Sequence, residues 1–190
     1  MDTVINVFWE LGYDAADTET LARRTGLTKP SLYNAFGSKE DLFVAALHRY
    51  RQTCSKACFD ALKQASTPLE GLRNYYLTLA EMVAGDGHPT GCLLMSVALP
   101  VRNRLHKVAA IFEKMPHESH MQLTAYFEEQ ISLENLPDDF IVPAAIALFQ
   151  DLAAAMTMQA RAGAHLDVLQ SKAQRNARLV MFEGGILDGS

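Results

Sequence analysis

The sequence predicts an all-α protein of about nine helices, with a small three-helix head at its N-terminus and a larger helical body behind it. Three observations lead there. Apolar residues recur at three- and four-residue spacing along most of the chain. Alternating apolar and polar runs, and β-branched clusters bounded by turn signals, are absent. Glycine, proline and small polar residues fall between the periodic stretches, where helices start and stop.

The elements follow in order. Val4, Ile5, Phe8 and Leu11 give a first helix from about Asp2 to Leu11, stopped by Gly12. A second covers Thr18 to Thr25, capped by Asp17 or Thr18, with Gly26 supplying the positive φ of the turn. A short third helix is capped by Thr28, carries Pro30 in its first turn and ends at Phe36-Gly37. Ser38 caps a fourth, with Glu40 and Asp41 favouring the helix dipole, that extends towards Lys63. Ser66-Thr67-Pro68 opens a fifth that closes at Gly85. The polar loop Asp86 to Gly91 precedes a sixth helix from about Cys92 to Leu99, with Pro100 after it. Helix resumes near Val101, breaks around Pro116, and continues to about Ile131. After Leu136-Pro137-Asp138-Asp139, helices over 142–162 and 166–182 complete the chain. The expected division is a head over 1–48, a body over 49–184 and a loose tail over 185–190.

Composition narrows the class. At 49% hydrophobic and 21% charged, the 190 residues read as an ordinary globular chain able to bury a core. No apolar run reaches the roughly 18 to 20 residues that a spanning helix needs, and no signal-peptide pattern opens the sequence, so a cytoplasmic location is expected. Cys54 and Cys58, four apart on one helix, are badly placed to bridge, and with Cys92 they read as thiols. The net charge of −5 argues against nonspecific coating of nucleic acid but not against a local reader.

The informative segment is Gly12 to Leu42, which has the helix, glycine turn and short helix of a helix-turn-helix. The short helix must be held from behind, and Leu32 and Phe36, backed by Leu21, Ala22 and Leu27, are expected to do so. Its leading residues must be small or polar to reach base edges and phosphates, as Thr28, Lys29, Ser31 and Asn34 are. Taken with Gly12-Tyr13-Asp14, Leu21-Ala22, Thr25 to Lys29, Leu32-Tyr33 and Phe36 to Leu42, the segment resembles the TetR-family DNA-binding domain over about forty residues in register.

The resemblance implies a sequence-specific DNA-binding regulator, a repressor released from its operator by a small molecule, and not an enzyme. It implies that Tyr33 and Lys39 contact phosphates, that Thr28, Lys29 and Ser31 lie at the groove, that Asn34 touches a base or phosphate, and that Arg23 and Arg24 face the backbone from the second helix. Pro30, Thr18 and Ala16 depart from the residues usual at their positions. The family also often carries a basic arm before the first helix, whereas here Met1 leads almost directly into it. Up to Tyr50 there are five basic and seven acidic residues, so DNA affinity is expected to rest on a few well-placed contacts, on dimerisation, or on residues outside this sequence. That charge balance is what favours the alternative, a helical enzyme or carrier with a purely structural N-terminal unit.

The body is expected to bind ligand and to dimerise. The helix over 142–162 is apolar on more than one face, and with the helix over 166–182 it is expected to pair with its copy in a homodimer, which a reader of two half-sites needs. Candidate pocket residues are Tyr75, Tyr76, Leu79, Met82, Cys92, Met95, Phe112, Phe127, Phe149 and Met156, although core filling accounts for most such Met and aromatic residues. Cys92 beside a helix N-terminus is either a sensing thiol or, more in keeping with free cysteines generally, a small buried hydrophobe. His117-Glu118-Ser119-His120 lacks zincin spacing and reads as a solvated loop. No metal, cofactor or catalytic set is expected.

Overall fold

The computed structural model describes residues 1–185, and these form nine helices without strands. Helix α1 is Asp2–Ala15, α2 Thr18–Thr25 and α3 Lys29–Phe36. Helix α4 is continuous through Lys39–Tyr50, the wider π-type turn Arg51–Ser55, and Lys56–Lys63. Then come α5 (Pro68–Ala84), the short α6 (Leu94–Ala98 and Leu99–Val101), α7 (His106–Ser132), α8 (Val142–Arg161) and α9 (Leu166–Glu183).

The caps explain the head's boundaries. Gly12, at φ 78° and ψ 169°, breaks α1, so the helix proper ends where the sequence predicts a stop. Asp17 caps α2 by accepting from the Thr20 amide at 2.7 Å. Thr28 caps α3 through the Ser31 amide at 3.2 Å. Ser38 and Asp41 form a reciprocal capping box on α4. Behind these caps Val4, Phe8, Leu21, Leu32, Leu42, Phe43 and Leu47 are buried together. Leu27 is not part of this pack: it is 47% exposed, because it lies in the turn beyond Gly26, whose left-handed backbone (φ 71°) carries the chain away from α2 before α3 begins.

In the body α5 is the hub, packed against the second half of α4, α8 and α9. Gly71 makes the α4–α5 contact possible, since a Cβ there would run into the Leu62 carbonyl and lie 2.9 Å from the Tyr126 hydroxyl. The expected break at Pro116 is absent, and α7 runs unbroken from His106 to Ser132. An interior proline loses one hydrogen bond and crowds the preceding turn, but Pro116 faces solvent, and buried Val108 and Ile111 before it and Leu123, Tyr126 and Phe127 after it hold both halves against the core. His117 and His120 are therefore exposed helix residues rather than loop residues, and Glu118 between them pairs with Arg51. Pro100 likewise falls inside the last turn of α6 rather than after it. Of the tail, Gly185 donates to the Phe182 carbonyl at 2.9 Å, and residues 186–190 lie outside the described residues.

Ion pairs bind the head to the α6–α7 corner. Arg104 grips Asp14 at 2.8 Å, Lys107 pairs with Asp41, and the Lys107 amide donates to Glu40 at 2.9 Å. The Lys107 ammonium and the Ser38 hydroxyl and amide together hold the Asp41 carboxyl well below its ordinary value of 3.8. A lowered carboxylate pKa stabilises the fold above the unfolded value, and that stabilisation is lost as pH falls through the folded value. The Asp41 contribution therefore survives acidification through the ordinary carboxylate range.

Two outcomes follow from this packing. Gly71→Ala should destabilise the protein by about 1 to 3 kcal/mol in urea unfolding, the range for overpacking at a close approach. In an NMR titration of the Asp41 carboxyl, Lys107→Gln should raise its midpoint towards 3.8, and an unchanged midpoint would remove Lys107 as the main cause.

Candidate nucleic-acid interface

Helix α3 is anchored on one face and open on the other. Leu32 is 3% exposed and Phe36 half-buried, while Thr28, Lys29, Ser31, Tyr33 and Asn34 are all exposed. The sequence therefore yields a short helix with its leading, electropositive end and its polar face turned to solvent.

The free head keeps its polar groups arranged. The Tyr33 and Thr18 hydroxyls lie 2.9 Å apart, linking α3 to the start of α2. The Lys39 ammonium donates to the Asp14 carbonyl at 3.2 Å and sits 4.6 Å from the centre of the Tyr13 ring. Burial holds Lys39 below the ordinary lysine value, with Asp14 and Asp17 opposing that shift. Thr18, Tyr33 and Lys39 together line one small notch between α2, α3 and α4. Arg24 pairs with Glu10 at 3.0 Å, and Lys29 with Glu19 at 3.4 Å. Arg23 is exposed. The structure thus brings Tyr33 and Lys39 together, sets Thr28, Lys29, Ser31 and Asn34 on α3, and places Arg23 and Arg24 near the end of α2.

Thr18 and Asp14 were missed by the sequence reading. The only signal for Thr18 was its departure from an apolar residue, which here supplies a hydroxyl for Tyr33. Asp14 contributes its backbone carbonyl, to which side-chain patterns are blind.

The expected ligand residues do not form one set. Tyr75, Tyr76 and Phe149 form an aromatic cluster inside the body, with ring centres 4.5 to 5.7 Å apart. Tyr76 is fully buried and donates to the Phe149 carbonyl at 3.2 Å. Phe127 packs on Phe140 and Tyr126 at the other end of α7, away from that cluster in the chain's order. Leu79 and Met156 are buried, Met95 and Phe112 half-buried, and the Met156 sulfur accepts from buried Asn176. A cleft of about 620 Å³ lies elsewhere, between α1, α4 and the end of α5, and of the expected ligand residues Met82 alone lines it. Cys92 is buried, and burial raises its thiol pKa against the lowering effect of nearby amides. That suits a small core residue rather than a reactive thiolate. No His, Cys, Asp or Glu cluster fit for a metal ion occurs among the described residues, and no helix among them is long and apolar enough to cross a membrane.

Comparison with known proteins agrees with this geometry. Residues 1–46 match the model of the bacterial regulatory proteins of the tetR family. The chain is 25% identical over 126 residues to an uncharacterised HTH-type transcriptional regulator, YezE, of Bacillus subtilis, a match covering 66% of the chain and 57% of that protein. It thus spans little more than half the length of that relative. It is 23% identical over 180 residues to the HTH-type transcriptional repressor ComR of Escherichia coli, covering 94% of the chain and 86% of that protein. Among solved structures it resembles CifR, a TetR-family transcriptional regulator, as a cysteine mutant complexed with 26-bp double-strand operator DNA, at a TM-score of 0.80 and 25% identity, with 93% of each chain covered. The head thus matches the family model of the tetR regulatory proteins, and the fold as a whole is similar to that of a TetR-family regulator.

Proposed function

We propose that this chain is a cytoplasmic, homodimeric transcriptional repressor that reads operator DNA through α3 and leaves it when a small molecule binds. The observation that carries the reading is the outward face of α3: a polar surface on a helix clamped from behind by Leu32, flanked by Tyr33 and Lys39.

On this reading Thr28, Lys29, Ser31 and Asn34 meet the major groove, Tyr33 and Lys39 take phosphates on one flank, and Arg23 and Arg24 approach the backbone from α2. Lys29 and Arg24 exchange Glu19 and Glu10 for phosphate. That exchange is cheap, because exposed ion pairs contribute only about 0 to 1 kcal/mol. The functional division is a head over 1–48 and a body over 49–184. Support for a homodimer comes from α8 and α9, which expose Met158, Val168 and Phe182 on the isolated chain, an apolar surface fit for a second copy. The operator complex of CifR, a protein of the same fold, supports the DNA partner. Ligand release follows if the ligand favours a body conformation in which the two heads are wrongly spaced.

A gel shift with DNA flanking the protein's own gene tests this. Binding should weaken steeply with salt. Lys39→Ala should weaken it across sequences and lower the salt slope by about one, as loss of a phosphate contact does. Tyr33→Ala should weaken it with unchanged helix content. Unchanged affinity in both variants overturns the phosphate roles, and no binding at low salt overturns the repressor reading.

A further inference from the structure

The cleft between α1, α4 and the end of α5 is unlike the packed interior of the body. Its walls come from both units: Ile5 and Trp9 from the head, Ala57 and Met82 from the body, with Tyr50 where α4 passes from one to the other. At about 620 Å³ it has the size of a small-molecule site.

Two polar atoms among its wall residues lack partners. The Trp9 indole N–H and the Tyr50 hydroxyl are buried without a hydrogen bond, on side chains 4% and 0% exposed. The Tyr50 hydroxyl lies near the Cys92 thiol and the Leu93 amide but reaches neither in hydrogen-bonding geometry. Buried donors are almost always paired, so these two, on residues that line one cleft, are an unmet demand for an acceptor. The charges at the rim exclude one class of acceptor. Arg49 is already paired with Asp2 at 3.7 Å, which leaves the Glu81 and Asp86 carboxylates without a basic partner in the cleft. With Asp2, Glu81 and Asp86 against Arg49 among its wall residues, the cleft disfavours an anion.

We propose that this cleft is the effector site, and that its ligand is an uncharged, largely apolar molecule bearing a carbonyl-type acceptor for Trp9 and Tyr50. The proposal deepens the repressor reading and rests on it for the consequence at DNA. Trp9 ties head to body: its indole stacks on His88 with ring centres 5.1 Å apart, and meets Tyr50 edge-on at 5.1 Å. The Glu81 and Pro89 carbonyls each lie 3.1 Å from a His88 ring nitrogen, and a neutral ring donates to one of them. Both donors are buried, so an acceptor that pairs with them has to disturb the Trp9–Tyr50 contact. Because Trp9 belongs to α1, that displacement moves the head relative to the body.

Trp9 is the only tryptophan in the chain, so its fluorescence reports the site directly. The full-length protein is titrated with cyclooctanone, with cyclooctane as the hydrocarbon of the same shape, and with cyclooctanecarboxylate as the anion. Cyclooctanone should give a saturable change, cyclooctane should bind about tenfold more weakly, and the carboxylate should give none. Tyr50→Phe should weaken the ketone about tenfold and leave cyclooctane affinity unchanged, while thermal stability stays level or rises because an unpaired buried hydroxyl is removed. Ala57→Phe, at an exposed position on the wall, should block the ketone without disturbing the core. Equal binding of ketone and hydrocarbon, no saturable change, or full ketone affinity in either variant overturns the proposal. A gel shift run alongside separates the two readings. DNA binding without ketone binding removes this site and leaves the repressor, whereas ketone binding without DNA binding leaves the site and removes the repressor.

Discussion

The continuity of α4 is the constraint on which the rest of the molecule depends. The helix starts at the Ser38–Asp41 capping box, inside the head, and does not end until Lys63, inside the body. Its first half buries Phe43 and Leu47 in the head, and its second half buries Cys58 and Leu62 beside α5. A regular helix keeps one face pointing one way. The wider turn at Arg51–Ser55 adds residues without adding a full regular turn, and so re-aims the apolar stripe between the two partners. Head and body are therefore joined by one continuous helix with a single irregular turn.

Two seams flank this helix and differ in chemistry. On one side, Arg104 and Lys107 hold Asp14, Asp41 and Glu40 through exposed ion pairs, which fix direction and contribute little stability. On the other, Trp9, Tyr50 and His88 meet through ring faces and edges around a cleft. The ionic seam yields to small changes in geometry at low cost. The aromatic seam has no such tolerance, since close-packed rings adopt discrete arrangements. A molecule that separates those rings has a direct purchase on the head, while the aromatic cluster of Tyr75, Tyr76 and Phe149 deeper in the body is filled by its own side chains.

The head was legible in the sequence because its signals are local. Asp17, Thr28 and Ser38 each cap a helix by bonding an amide three residues on, and Gly12, Gly26 and Gly37 stand where φ is positive. Pro116 shows the opposite case. Its local signal is strong, yet α7 passes through it, because burial on either side outweighs the lost hydrogen bond and the ring faces solvent. Leu27 failed for a related reason: apolar character says nothing about which way a turn points a side chain.

The sequence alone determined that this protein is all helical, that Lys29–Phe36 is a short helix behind a glycine turn, and that the head around it resembles the DNA-binding domain of the tetR family. Those features follow from capping, periodicity and motif spacing, all of which act within a few residues. Only the tertiary structure decided where empty space lies. Met and aromatic residues look alike in sequence whether they fill a core or line a cleft, and packing between distant segments separates them: Tyr76 and Phe149 close on each other, while Trp9 and Met82, 73 residues apart in the sequence, come to line the same opening. The same packing brought a Thr18 hydroxyl to Tyr33 and left the Trp9 and Tyr50 donors unpaired, neither of which any local pattern encodes.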